Sequence, residues 1–209
     1  MHVFRQKFFK NKSTNYLFSN AICIHSYKKL HLQVRKDERL PPPFQMNIEL
    51  ETKRLFIRPI HLKDASFLFE LMHTEGWLRN IGDRNLHTIH ETEKYIHEIN
   101  EKAFFNYYVL LCKESKKSIG ILSFIHRPNL EFPDLGFALL PEYHKQGLAY
   151  EASSQFLTKI KEQKNIESIC AIALETNIDS ISLLKKLGFK WTSEMLDEDK
   201  ILHYFTFNF

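Results

Sequence analysis

Residues 141–157 read "PEYHKQGLAYEASSQFL" and hold one of the chain's six glycines. An apolar run, "DLGFALL", precedes them, and a helical pattern follows. A strand, a tight turn and a helix start in that order often make an anion site. The first turn of a helix carries unpaired N–H groups and a partial positive charge. Gly147 has no side chain, so a phosphate can approach the backbone closely. Ala149 keeps the surface small two residues on, and Lys145 adds positive charge. This geometry suits a pyrophosphate. The stretch is neither a G-x-x-x-x-G-K-[ST] loop nor a G-x-G-x-x-G fingerprint, and a lone glycine at a helix start also serves as a plain turn.

Three other sets of residues invite a chemical reading. Asn177 and Ser180 open the run "NIDSISLLKKLG". Asn is a preferred helix N-cap, and Ser does similar work, so a cap and a polar site are both open. Of the eleven histidines, His87, His90 and His97 lie close in sequence. His90 and His97 are about two helical turns apart, and no carboxylate or thiol completes a set, so no metal site is expected. The three cysteines, Cys23, Cys112 and Cys170, show no metal-ligand spacing. Cys112 and Cys170 sit in apolar strand-like runs. That predicts buried free thiols in a reducing compartment, hence a cytoplasmic protein.

The elements that must hold these residues follow from periodicity. "RLFIRPI" reads as a short strand. "HLKDASFLFELMH" and "TIHETEKYIHEINEKAF" carry helical apolar spacing, the second on Ile89, Tyr95, Ile96 and Ile99. "NYYVLLC" and "SIGILSFI" flank the polar turn "KESKK" as a hairpin. "DLGFALL" is a strand, "LAYEASSQFLTKIKEQ" a helix and "SICAIAL" another strand. "IDSISLLKKLG" is a helix with Gly188 at its C-terminal cap. "FKWTSEM" and "KILHYFTF" pair as a last hairpin, whose alternating aromatics read as core. A hairpin meander followed by a strand–helix–strand unit predicts one α+β, mixed α/β domain.

Bulk composition is that of a globular domain, with 44% hydrophobic and 26% charged residues and 18 Phe and 8 Tyr for a core. No apolar run approaches the roughly 20 residues of a membrane span. The net charge of +4 is unevenly placed. Residues 1–45 hold nine Lys/Arg and two Asp/Glu, whereas residues 46–209 hold twenty and twenty-three. The basic segment ends in "LPPPF", which favours an extended linker. The domain is therefore expected to span 46–209, with 1–45 as a basic extension. Three readings of that extension stand: a targeting leader, a nucleic-acid-binding arm, or a disordered stretch not normally translated, with Met46 as the working start.

Three separated stretches share a further property. "ETKRLFIRPIHLKDASFLFEL", "DLGFALLPEYHKQGLAYEA" and "NIDSISLLKKLGFKW" resemble the opening strand and helix, the acetyl-CoA loop and the closing Asn-helix-LGF unit of GNAT acetyltransferases. The branch most similar is that of the ribosomal-protein N-terminal acetyltransferases. The likeness covers about residues 48–209. The family's loop pattern, Gln/Arg-x-x-Gly-x-Gly/Ala, falls on His144, Lys145, Gln146, Gly147, Leu148 and Ala149. His144 departs from the usual Gln or Arg.

That resemblance implies a mostly antiparallel sheet, flanked by helices and splayed where acetyl-CoA binds. The pantetheine arm would lie between the strand ending at Leu139 and Leu140 and the strand "SICAIAL", paired like an added strand. A backbone N–H near Leu139 or Leu140 would polarise the thioester carbonyl. Asn177 would contact the pantetheine, and Ser180 would donate to the leaving thiolate. The acceptor would be a primary amine, at a protein N-terminus or on a small molecule, acetylated directly in a ternary complex. Such amines are mostly charged near pH 7, so a base must take a proton. Glu142, His144 and Glu175 are the candidates. No membrane or metal partner is implied, and the protein would be a monomer or homodimer. The rival reading is a GNAT-like module that binds CoA without catalysis.

Overall fold

The computed structural model describes residues 46–209, apart from Pro128, Lys164 and Glu198. The expectations for residues 1–45 fall outside the described residues. Eight strands form one sheet in the order β1-β2-β3-β4-β5-β6-β8-β7. The first four are β1 (Leu50–Glu51), β2 (Leu55–Pro59), β3 (Phe105–Cys112) and β4 (Ser118–Ile125). β5 (Asp134–Leu139) and β6 (Ser168–Leu174) lie at the centre, and β7 (Lys190–Asp197) and β8 (Lys200–Asn208) close the far side. Every neighbouring pair is antiparallel except β5 and β6. These two are parallel because a helix joins them.

β5 and β6 meet only near their starts, where Asp134 faces Cys170 and the Cys170 N–H donates to Pro133 O at 2.8 Å. Beyond that point no ladder joins them among the described residues. β4 stays paired with β5 up to Leu139, and β8 with β6 up to Leu174. The sheet is thus split from its middle to one end, as the resemblance implies.

The strands' two-residue period sends side chains to two cores. Tyr108, Leu110, Leu122 and Phe124 face α4 (Leu148–Glu162) and α5 (Ile178–Leu187). Tyr107, Val109, Ile121 and Ile125 face α1 (Ala65–Met72), α2 (Glu75–Asn80) and α3 (Ile89–Asn100). On α4, Leu148, Ala152, Phe156 and Ile160 recur every four residues and are buried. The Phe156 ring lies 5.0 Å from Tyr108 and 5.6 Å from Phe124. Burial of each large side chain there contributes about 1.5–3 kcal/mol, so the helix start that carries Gly147 is anchored to the sheet.

Three expectations need correction. The first predicted helix begins only at Ala65, after a 3₁₀ turn at Leu62–Asp64. Asp64 is drawn into that turn by two 2.7 Å hydrogen bonds from Arg58. The stretch "HTEGWLRNIGDRNL", to which the periodicity assigns no element, contains α2, whose N-cap Thr74 accepts from the Trp77 N–H at 3.3 Å. Cys112 is only half-buried at the end of β3, whereas Cys170 is buried.

Candidate active site

Gly147 is the N-cap of α4 and has a left-handed backbone, φ 74°. A side chain is strained in that conformation, which is the local reason for glycine here. A Cβ at this position would stand 3.6 Å from Arg54 Nη2. Lys145 is also left-handed, at φ 57°, a strain of the kind that clusters at ligand-binding loops. The loop is braced from outside. Arg54 Nη1 donates to Gln146 O at 2.9 Å, and Arg54 Nε meets Glu151 Oε2 at 2.6 Å. Glu151 Oε1 also accepts from the Arg54 N–H at 2.8 Å and the Thr52 hydroxyl at 2.6 Å. Burial alone would raise the Glu151 pKa; these bonds outweigh it and hold the carboxylate below its ordinary range. Arg54 therefore ties the start of β2 to the Gly147 loop and leaves a guanidinium beside it.

The split in the sheet opens into a cavity of about 560 Å³. Its walls include Leu139, His144, Lys145, Gly147, Leu148, Ala149, Asn177 and Ser180, so residues from three separate segments converge. Two expected residues stand apart. Leu140 is buried, and its N–H donates to Ile119 O at 2.8 Å inside the sheet. The Gln146 side chain turns away and donates to Glu142 O at 2.7 Å.

The Leu140 bond settles which amide is open. Leu139 faces Gly120 in a non-hydrogen-bonded pair. Strand geometry then turns the Leu139 N–H away from β4, toward the split. Leu139 O points the same way and accepts from His144 Nε2 at 2.9 Å. A carbonyl only accepts, so that nitrogen carries the proton, and in the neutral ring Nδ1 keeps a lone pair.

Asn177 is the N-cap of α5, its Oδ1 accepting from the Ser180 N–H at 3.2 Å. Both side chains also belong to the cavity wall. Capping and ligand contact are compatible here, because the helix starts at the mouth. Tyr150 and Lys186 complete that mouth, the ammonium 4.5 Å from the ring centroid. Of the three candidate bases, His144 lines the cavity and Glu142 and Glu175 do not.

The cavity passes through the sheet. Leu148 packs in the core of α4 and α5, whereas Trp77 packs in the core of α1–α3 on the opposite face. On that second face the wall is built by Trp77, Arg79, Arg84, Tyr107, Ser123 and Arg127, none of which the sequence reading singled out. Burial pushes the Tyr107 hydroxyl far above its ordinary pKa. Among the described residues no group of His, Cys, Asp or Glu could hold a metal ion, and no helix is long and apolar enough to cross a membrane.

Residues 54–190 match the family model of the acetyltransferase (GNAT) domain. The chain belongs to the GNAT acetyltransferase family. It is 26% identical over 150 residues to the uncharacterized N-acetyltransferase YoaA of Bacillus subtilis, covering 68% of this chain and 82% of that protein. It is 22% identical over 143 residues to YnaD of the same organism, also an uncharacterized N-acetyltransferase, covering 68% and 83%. Among solved structures it is similar in fold to RimL, a ribosomal L7/L12 α-N-protein acetyltransferase in complex with coenzyme A, with TM-score 0.68 and 15% identity over 77% of this chain and 98% of RimL. The chain is thus a GNAT N-acetyltransferase, of a family that uses acetyl-CoA.

Proposed function

We propose that this enzyme transfers acetyl directly from acetyl-CoA to a primary amine, on a protein N-terminus or a small molecule, within a ternary complex. The observation that carries the reading is the cavity through the split sheet, with a left-handed glycine loop on one face and a polar wall on the other. The residues present fit acetyl-CoA: Gly147 offers bare backbone, Lys145 and Arg54 offer positive charge, and the open edge of β5 offers the amide and carbonyl of Leu139. Acetyl-CoA would supply the activated acyl group. The Leu139 N–H would polarise its carbonyl, Asn177 would contact the pantetheine, Ser180 would donate to the leaving thiolate, and His144 Nδ1, directly or through water, would take the proton from the amine. Holding both reactants in one cavity supplies much of the rate.

Direct transfer is favoured over a covalent acyl-enzyme. Neither described cysteine lines the cavity; Cys170, in β6, is buried and donates to Phe132 O at 3.1 Å, and burial pushes its pKa up. A thiol held neutral is a poor nucleophile. Initial velocities with an amine panel, read by free CoA, test both points. Intersecting double-reciprocal lines are expected. Parallel lines would overturn direct transfer, and CoA binding without release on any amine would leave a binding module instead.

A further inference from the structure

The second face of the cavity carries a cation without a counter-charge. Arg84 is held by the loop after α2, its guanidinium 5.7 Å from the Trp77 ring centroid. Its Nη1 reaches Gly82 O at a long 3.4 Å, and its Nε is buried with no hydrogen-bond partner. No carboxylate among the described residues pairs with it. Arg127, in the same wall, is matched: its Nε and Nη2 lie 2.8 and 2.6 Å from Asp134 Oδ2. Arg79 is exposed and meets Glu75 at 3.4 Å. The charge left over on this face is positive and is centred on Arg84.

Arg84 is half-buried, but its Nε–H is buried and unmet, which is costly unless a ligand satisfies it. The phosphates of the acyl donor do not serve, because their loop is on the other side of the sheet. We infer that Arg84 binds a carboxylate on the acceptor, so that the amine acetylated here carries an acid group close to it. The inference rests on the acetyl-transfer reading above and names its acceptor class. A planar, always-charged guanidinium matches a carboxylate in two-point fashion. The Trp77 ring, 5.7 Å from the guanidinium carbon, adds a cation–π attraction. A polyamine would meet this wall as like charge against like. Two sources share the chemistry: a free α-amino acid, and a peptide whose first residue is acidic.

Matched pairs separate the sources and test the claim. L-alanine is compared with alaninamide, and the tripeptide amide Asp-Ala-Ala with Asn-Ala-Ala. Each is titrated by calorimetry into the protein with and without CoA, and each is assayed for acetylation. The acid member of at least one pair is expected to bind, and to turn over by kcat/KM, about ten- to a hundredfold better. Arg84→Met should erase that preference by raising KM, Arg84→Lys should restore it in part, and CoA affinity should not change. Equal binding within both pairs to the wild-type protein would overturn the inference, as would better binding of putrescine than of either acid. These binding ratios need no acetylation, and the CoA-free titration needs no cofactor. Loss of the transfer reading would appear instead as absent CoA release, so the two failures are distinguishable.

Discussion

Replacing Gly147 with Glu tests the anion loop, and the structure says what else the change does. Any side chain at φ 74° is strained, by about 1–2 kcal/mol. Gly147→Ala carries that strain alone, since its Cβ would stand 3.6 Å from Arg54 Nη2, an ordinary contact. Both variants should therefore melt a few degrees lower, at about 2–4 °C per kcal/mol for a chain of this size. The glutamate adds a carboxylate where a pyrophosphate is expected. Two unit charges about 4 Å apart repel by about 4 kcal/mol at an effective dielectric of 20. Arg54 is near enough to pair with the new carboxylate, which offsets part of that repulsion but removes a cation from the site. A net loss of about 1–3 kcal/mol, ten- to a hundredfold in Kd, is expected for CoA by calorimetry. Gly147→Ala should lose much less. If the two variants melt alike and also bind CoA alike, the charge argument fails and Gly147 is only a turn.

Three further outcomes are expected. Ser180→Ala should lower kcat and kcat/KM together by about a hundredfold with CoA affinity unchanged; normal turnover would assign the hydroxyl to the helix start alone. Asp64→Asn should cost about 3 kcal/mol at neutral pH, because it breaks a buried pair with Arg58. Burial would raise the Asp64 pKa, but the hydrogen bonds from Arg58 and the His61 N–H hold it below its ordinary range. Its contribution is therefore complete above about pH 4 and is lost as pH falls through the folded-state value, so the melting curves of variant and parent should converge in acid; a gap independent of pH would refute the linkage. A chain beginning at Met46 should fold and bind CoA, because the charge break, the proline-rich linker and the complete motif set place the domain after it, and the Met46 backbone N–H donates to Asn106 Oδ1 at 2.8 Å; an insoluble product would make residues 1–45 structural.

The elements that were legible in sequence share a strong local period. The β5–α4–β6 unit announces itself by a continuous apolar strand, a polar turn and a four-residue apolar repeat, and β3–β4 by two apolar runs around "KESKK". What was missed lacks that signal. α2 has six residues and one buried side chain, Trp77, so no repeat can build up. β1 has two residues. The last hairpin was read as core from its alternating aromatics, yet Trp191 remains 53% exposed while Phe205 is fully buried. β7 is the sheet's edge strand, and alternation says which residues share a face but not whether anything covers it.

The site divides in the same way. Gly147, Lys145 and Ala149, which line the cavity, were legible because a strand–turn–helix loop is local, and Asn177 because a cap is local. Arg54 reaches that loop by pairing with Glu151 across 97 residues of sequence, and Arg84 faces the cavity only because α2 stacks Trp77 on the opposite side of the sheet. Neither position has a neighbour in sequence to mark it. Register alone decides between Leu139 and Leu140: the latter's amide is spent on Ile119 O, so the former's must face the split. A one-residue slip of β5 on β4 would exchange the two, turn Leu139 into the sheet and move its side chain to the other core. Gly120 permits the native register. A Cβ there would fall 2.4 Å from Ala138 O, so the close approach of β4 to the end of β5 depends on a residue without one. The Leu139 amide proposed to polarise the acetyl group thus depends on a glycine on the neighbouring strand, and Gly120→Ala should lower acyl transfer, read by CoA release, through that strand without touching the substrate.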